Sequence, residues 1–425
     1  MHATKMVSVE EALNSIKNHD VVVTSMGAAE PSLFYESIHH RCRELKSIRI
    51  YCANPSQAYP IYSDFWDPHQ VEILPMFLTS SVKFHPSRPH IQYVPQNLSQ
   101  WVQNLTHVVQ PDVFWGTCSY PDERGYVSLG TSVCYEYELL KKAKKVYLEM
   151  NKNIPFTYGS TCICLEKVNG LIESDQSLPS VALPKIQNED HQIAQRVAEL
   201  IPNGATLQLG IGAIPNALSD ALKHHKNLGV HTEMINDTMM SLFLSGVITG
   251  EKKSLWPDRM VGAFAYGTAE LYRFMDRHPG VELHPASVVN DPVRMGRNYR
   301  MYSINSAVEV DVTGQVCSES IGHLELSGVG GAADTHLGAQ RSEEGRGIIA
   351  MRSQTPHGVS KIVVTLQPGA KVSVSRNDVD TVITEYGVAV LRGRSVATRT
   401  RSLIGVAHPQ HREALEFEAK RLGYI

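Results

Sequence analysis

The chain has 425 residues, is 42% hydrophobic, and sets 40 basic against 43 acidic side chains for a formal charge of −3. That length accommodates two or three domains, and the evenly spread charge excludes a nucleic-acid tail or a polybasic membrane patch. No run of about 18 apolar residues exists, which excludes a helical membrane span. Seven cysteines, odd in number and scattered, together with Met1–Lys5 lacking the apolar core of a secretory signal, point to reduced thiols in a cytoplasm. The 19 histidines include no HExxH, so no metal site is expected.

From the amino end, Ser8 with Glu11 three residues on forms a capping box that opens an amphipathic helix over residues 8 to 17. Val21-Val22-Val23-Thr24 then reads as a buried strand. A loop from Met26 to Pro31, a helix to about Arg43 and a strand at Ser47 to Tyr51 follow. Short connections between such units predict a parallel sheet covered on both faces. Val113-Phe114-Trp115 and Val146 to Met150 are further strands. The Ser- and Pro-containing stretch Glu173 to Ser180, followed by Pro184, is the best linker. It predicts domains over 1–178 and 179–425.

The same phrase then returns. Asn188 caps a helix with apolar Ile193, Val197, Leu200 and Ile201, and Pro202-Asn203-Gly204 turns into the strand Thr206–Leu209. Gly210-Ile211-Gly212 leads to Pro215, placed to begin a helix to about Lys226, and Val230–Glu233 is the next strand. Two copies of helix, strand, loop, helix, strand suggest duplicated α/β domains. The copies differ at one point. Glu233 ends the second strand of the later copy, whereas the earlier one has Tyr51-Cys52-Ala53-Asn54 there. Asn236-Asp237 caps the helix from Thr238 to Val247 that follows. Open α/β sheets bind ligands at the carboxyl ends of their strands, so Glu233 is either a helix-terminus charge or a nucleophile, and one site built mainly on the later half is expected.

Beyond it, Ser303 to Asp311 alternates like a strand that Thr313-Gly314-Gln315 turns. Lys361–Leu366 and Val379–Thr384 are further strands, and Pro409 introduces a terminal helix to Leu422. Gly328-Val329-Gly330-Gly331 is a glycine cluster that allows close backbone approach to a ligand, or merely a tight turn. It lacks the Gly-Lys-Ser/Thr of a nucleotide-hydrolysing loop. Gly210-Ile211-Gly212 fails as a dinucleotide fingerprint, because Pro215 stands where the third glycine belongs. A second acid, Glu385, ends an apolar strand, and Arg392 or Arg394 are its simplest partners. No G-x-S-x-G elbow is present.

Taken together, Leu209–Ala217, Gly229–Met234, Asn290-Asp291-Pro292, Ser303–Asp311, Gly328–Asp334 and Ile383–Gly393 resemble, in order and spacing, the acetyl-CoA hydrolase/transferase family. This is the group of class I CoA-transferases that includes 4-hydroxybutyrate CoA-transferase and butyryl-CoA:acetate CoA-transferase. Pro121–Gly130 and Asn151–Pro155 resemble it as well. The segment Phe77–Val94 is less typical, and Thr335-His336 replaces an aromatic common in the family.

The resemblance implies two similar open α/β domains with mainly parallel sheets, the class I CoA-transferase fold, with the active site between them. It implies Glu233 as covalent nucleophile, Gly210, Gly212, Gly328, Gly330 and Gly331 lining the thioester site, and Asn305 and Glu385 as further polar positions there. Coenzyme A is then a substrate with no permanently bound cofactor, and the partners are acyl-CoA and short-chain carboxylates. The assembly is expected to be a homodimer or higher homo-oligomer. Arg341, Arg346 and Lys361 are candidates for the CoA phosphates. A plain acyl-CoA hydrolase and a non-catalytic acyl-CoA-binding module on the same fold are the alternatives.

Overall fold

A computed structural model describes residues 5–63, 66–82, 88–181 and 184–425. Residues 1–4 of the amino-terminal stretch and 83–87 of the Phe77–Val94 segment lie outside the described residues. The chain divides into two units, Met1–Val181 with Val261–Val289, and Ala182–Met260 with Asn290–Ile425. A single cut between 178 and 179 therefore differs from the contacts observed, because Val261–Val289 returns to the first unit after the second has begun.

The first unit opens with helix α1 (Val9–Asn14), whose capping box is complete. Ser8 Oγ accepts from Glu11 N–H at 3.0 Å and Glu11 Oε2 accepts from Ser8 N–H at 2.8 Å. Strand β1 (Val21–Thr24), helix α2 (Ser32–Cys42) and strands β2 (Ile48–Cys52), β3 (Val71–Pro75), β4 (Val113–Cys118), β5 (Lys145–Asn151) and β6 (Gly170–Ser174) follow. They form a parallel sheet in the order β3-β2-β1-β4-β5-β6. The expected linker begins later than its composition suggested, since Glu173 and Ser174 finish β6. Phe34, Tyr35, Ile38, Ile48, Ile50, Ile73 and Trp115 build the core, which explains why β1 and β4 are apolar on both faces.

In the second unit helix α3 (Asn188–Leu200) starts one residue after its cap, which is Gln187 and not Asn188. Strand β7 (Thr206–Leu209), helix α4 (Ala213–Ala221), strand β8 (Gly229–His231) and helix α5 (Asp237–Leu244) come next. Asn236 caps α5, accepting from Met239 N–H at 3.2 Å. Pro215 is the third residue of α4, still within the first turn whose N–H groups have no helical acceptor. Strand β9 (Met301–Asn305), helix α6 (Ala332–Arg341) and strands β10 (Arg346–Ala350), β11 (Thr381–Thr384) and β12 (Gly387–Val390) complete the unit's main layers. The strands run in the order β12-β11-β10-β9-β7-β8, parallel except for the β11–β12 hairpin.

The single strand expected over Ser303–Asp311 is two. Glu309–Asp311 belongs to a separate three-stranded sheet, and Gly314 (φ 104°) turns that chain back under three N–H groups that donate to Asp311 Oδ1. In both units the first strand of the repeat lies between the second strand and a strand reached only after a long excursion: β1 between β2 and β4, β7 between β8 and β9. This shared order is the physical content of the repeated sequence phrase. The fold is mixed α/β with mainly parallel sheets.

Candidate active site

Strand β8 ends at His231, and Glu233 follows two residues later, at the carboxyl edge of the sheet, before Asn236 starts α5. Its carboxylate is held from two sides. Asn290 Nδ2 donates to Glu233 Oε2 at 3.1 Å, and the backbone N–H of Gly331 donates as well. Asn290 is fully buried, and its Oδ1 finds no hydrogen-bond partner among the described residues. The residue Glu233 keeps an intermediate exposure, yet protein surrounds its carboxyl closely. Burial pushes the Glu233 carboxyl up to about 7; Asp334 adds to the rise, and the Asn290 and Gly331 donors oppose it.

Gly331 explains itself in this setting. Its φ is −106°, a value any residue adopts, so backbone freedom is not the reason for glycine. A Cβ there would instead overlap Glu233 Oε2 and Asn290 Nδ2. Close approach of the carboxylate to bare backbone is what excludes a side chain. Gly330 does need its freedom (φ 57°), and so does Gly212 (φ 122°), which sits just before α4 with open space around it. Gly210 needs neither: a Cβ there would meet Ile304 O at an ordinary 3.6 Å. Its carbonyl accepts from Asn236 Nδ2 at 3.3 Å, which ties the Gly210–Gly212 loop to the stretch carrying Glu233. Gly328 is buried in the approach to α6, and its carbonyl accepts from Ser327 Oγ at 3.3 Å.

Asn305 ends β9 in a network with Gln208, Ser303 and Thr335. Its Nδ2 reaches Ser303 Oγ at 3.0 Å, Thr335 Oγ1 at 3.2 Å and Gln208 Oε1 at 3.4 Å. The Asn305 amide, given by the resemblance as a further polar position, is thus engaged within the protein. Thr335 belongs to this network and supports it from α6, while His336 is fully buried and accepts from Asp380 N–H at 3.1 Å.

Glu385 stands apart. Ser353 donates to its carboxylate through N–H at 2.9 Å and through Oγ at 2.5 Å, and Arg196 donates to its carbonyl. Arg392 turns instead to Asp380 and the Gln340 carbonyl, so the expected Arg392 or Arg394 pairing is replaced by Ser353. The hydrogen bonds and charges acting on Glu233 come from Asn290, Gly331 and Asp334, and Glu385 is not one of them.

Of the three cations considered, Arg346 begins β10 beside Tyr302, at the amino edge of the sheet. Arg341 ends α6, ten residues and about 15 Å along the helix from the Gly331 end. Only Lys361 lies at the carboxyl edge, in a cavity beside Gly212. Sequence reasoning quoted Asn290 and Asp334 without giving either a role. Their signal lay in Asn290-Asp291-Pro292 and in the acid that follows the glycine cluster.

Comparison with known proteins identifies the family of the chain. Residues 1–184 match the acetyl-CoA hydrolase/transferase N-terminal domain and residues 267–419 its C-terminal domain. The chain is 38% identical to succinyl-CoA:cyclohexane-1-carboxylate CoA transferase of Geobacter metallireducens, over 99% of this chain and 96% of that one. It is 46% identical to 4-hydroxybutyrate coenzyme A transferase of Clostridium kluyveri over 71% of each. The crystal structure of RipA from Yersinia pestis superposes with a TM-score of 0.92 at 30% identity, covering 99% and 98% of the two chains. The chain therefore belongs to the acetyl-CoA hydrolase/transferase family and is a CoA-transferase.

Proposed function

We propose that the protein moves CoA between a short-chain acyl-CoA and a free carboxylate, with acetate and either 4-hydroxybutyrate or butyrate as the pair, through a CoA thioester on Glu233. The observation that carries this reading is a carboxylate at the sheet edge lodged on two N–H donors, with bare glycine backbone against it.

In the first step a Glu233 oxygen attacks the acyl-CoA carbonyl. The C–S bond breaks, CoA leaves as thiolate, and an acyl-glutamyl anhydride remains. The thiolate then attacks the glutamyl carbonyl, which releases the acid as carboxylate and leaves the enzyme–CoA thioester. An incoming carboxylate runs both steps backwards, so the kinetics are ping-pong.

The second attack builds negative charge on a glutamyl oxygen. The Asn290 amide and Gly331 N–H already hold that carboxylate, so they stabilise the tetrahedral intermediate without reorganisation. One such donor is worth about 3 kcal/mol of barrier. An enzyme carboxylate suits this exchange because its thioester is close in energy to the substrate's, which keeps the transfer reversible. Coenzyme A enters as substrate.

The test is mass spectrometry of the intact chain after incubation with acetyl-CoA alone. A CoA adduct on the peptide containing Glu233, discharged by added carboxylate, is expected. An adduct on Glu385 or on any cysteine overturns the assignment. Turnover with and without acceptor acetate separates transfer from hydrolysis.

A further inference from the structure

Three groups meet at the site: the Glu233 carboxylate, the Asn290 amide and the Gly331 N–H. They are carried by three elements of the second unit. Glu233 follows β8, Asn290 precedes the short helix Pro292–Met295, and Gly331 is the N-cap of α6. Away from the carboxylate, all three elements are tied to one residue, Asn298.

The Asn298 side chain is fully buried. Its Oδ1 accepts from Leu255 N–H at 3.2 Å, which turns its amide nitrogen toward His231 Nδ1 at 3.0 Å. An amide NH2 only donates, so Nδ1 accepts and the neutral ring carries its proton on Nε2. His231 is the last residue of β8, fully buried, with its ring 5.7 Å from that of Trp256. Fixing this ring fixes the strand end from which Glu233 projects. The loop that supplies Leu255 is itself strained, with Trp256 at φ 49° and Asp258 at φ 59°. Such conformations cost about 1–3 kcal/mol each and persist where the surroundings over-determine them, often at functional sites.

The main chain of Asn298 makes the other two connections. Its carbonyl accepts from Ser342 Oγ at 2.5 Å, and Ser342 is the C-cap of α6. The same hydroxyl accepts from Met301 N–H at 2.9 Å, which pins the end of α6 to the start of β9. The Asn298 N–H donates to the Met295 carbonyl at 3.0 Å, closing the helix that begins just after Asn290. That helix and α6 meet with glycine at the contact. A Cβ on Gly296 would stand 2.7 Å from Arg341 Cβ, and one on Gly338 would stand 2.8 Å from Met295 Sδ. Packing this close leaves α6 little room to slide along its axis.

We propose that Asn298, acting through His231, is a positioning residue that holds Glu233, Asn290 and Gly331 in the one register where the carboxylate meets both donors. This role rests on the CoA-transferase reading of Glu233 and adds to it what keeps that geometry in place. The Asn298 side chain bonds to Leu255 and His231 and not to the carboxylate, so its loss acts on the chemical step and leaves substrate binding intact. A displacement of about 1 Å at reacting groups can cost about a hundredfold in rate.

Steady-state transfer of CoA from acetyl-CoA to butyrate is measured with the full chain carrying Asn298→Leu, His231→Leu or His231→Gln, beside thermal melting. Asn298→Leu keeps the volume and removes both side-chain hydrogen bonds. It is expected to lower kcat about tenfold or more, with both KM values within twofold. The Asn290 and Gly331 donors hold the Glu233 carboxyl down. A carboxylate that drifts off them titrates higher, so the rise of turnover with pH should move upward by about half a unit or more. His231→Gln keeps an acceptor for the Asn298 amide and should recover most of the turnover lost in His231→Leu. A smaller folded fraction lowers kcat without moving the pH profile, so an unmoved profile overturns the positioning role. Unchanged kcat in Asn298→Leu, or equal losses in His231→Gln and His231→Leu, overturns it as well. Where Asn298→Leu does not fold, the His231 pair decides. These rates are read from transfer and not from the adduct. A wild-type chain that turns over without a CoA adduct at Glu233 would refute the covalent mechanism, and the Gln rescue would still decide the positioning role.

Discussion

Replacing Gly331 by alanine adds one carbon atom at the point where Glu233 meets the backbone. The new Cβ would overlap Glu233 Oε2 and Asn290 Nδ2, so the carboxylate must move off its donors. The backbone itself accepts the change, because φ is −106° and the residue is the N-cap of α6. Glycine to alanine at a cap costs about 1 kcal/mol or less. The displaced atoms are the ends of side chains, which give way without unpacking the core. Catalysis has no such slack. Losing one of the two donors on the developing oxyanion costs about 3 kcal/mol, a fall of roughly a hundredfold in turnover.

The measurement pairs single-turnover formation of the CoA adduct with thermal melting. Adduct formation about a hundredfold slower, with a melting curve shifted by a few degrees at most, is the expected result. Adduct formation at the wild-type rate would refute the reasoning outright. A rate loss matched by an equal loss of folded protein would reduce Gly331 to a turn residue.

Glu233→Gln should abolish the adduct, since a neutral amide is a poor nucleophile. Glu385→Gln should leave adduct formation on Glu233 intact while costing about 1–2 kcal/mol of stability through the weakened Ser353 hydrogen bonds, read by denaturant titration. The nucleophile is the ionised form, so the first half-reaction should accelerate as pH rises through about 7, the raised position of the Glu233 carboxyl. A profile flat from pH 5 to 8 would contradict that. Burial also pushes the Glu149 carboxyl up to about 8 and Glu30 up to about 7. Raised acids stabilise the fold below the unfolded carboxylate range and lose that contribution as pH climbs through the folded values. Thermal stability should therefore decline between about pH 5 and pH 8, and a melting temperature that rises over that window would exclude the assignment.

Local signals in the sequence were enough to define the strands and caps. Val21–Thr24 and Thr206–Leu209 are apolar runs bounded by turn residues, and the Ser8–Glu11 box satisfies its helix end with atoms three residues apart. Such information is short-range, so it survives without knowledge of the rest of the chain. The repeated phrase also carried the duplication, because strand order follows from repeated short connections.

Where Ser303–Asp311 breaks was not legible, since both resulting strands are buried and differ only in the sheet they join. Nor was the return of Val261–Val289 to the first unit, which depends on contacts far apart in sequence. The same holds for the site. Glu233 could be singled out by its place after a strand, but Asn290 lies 57 residues away and only the tertiary structure sets its amide on that carboxylate. Gly331 shows the limit most clearly. The glycine is visible in the sequence, yet its reason is the atom that three-dimensional packing places against it, a carboxylate oxygen from nearly a hundred residues earlier.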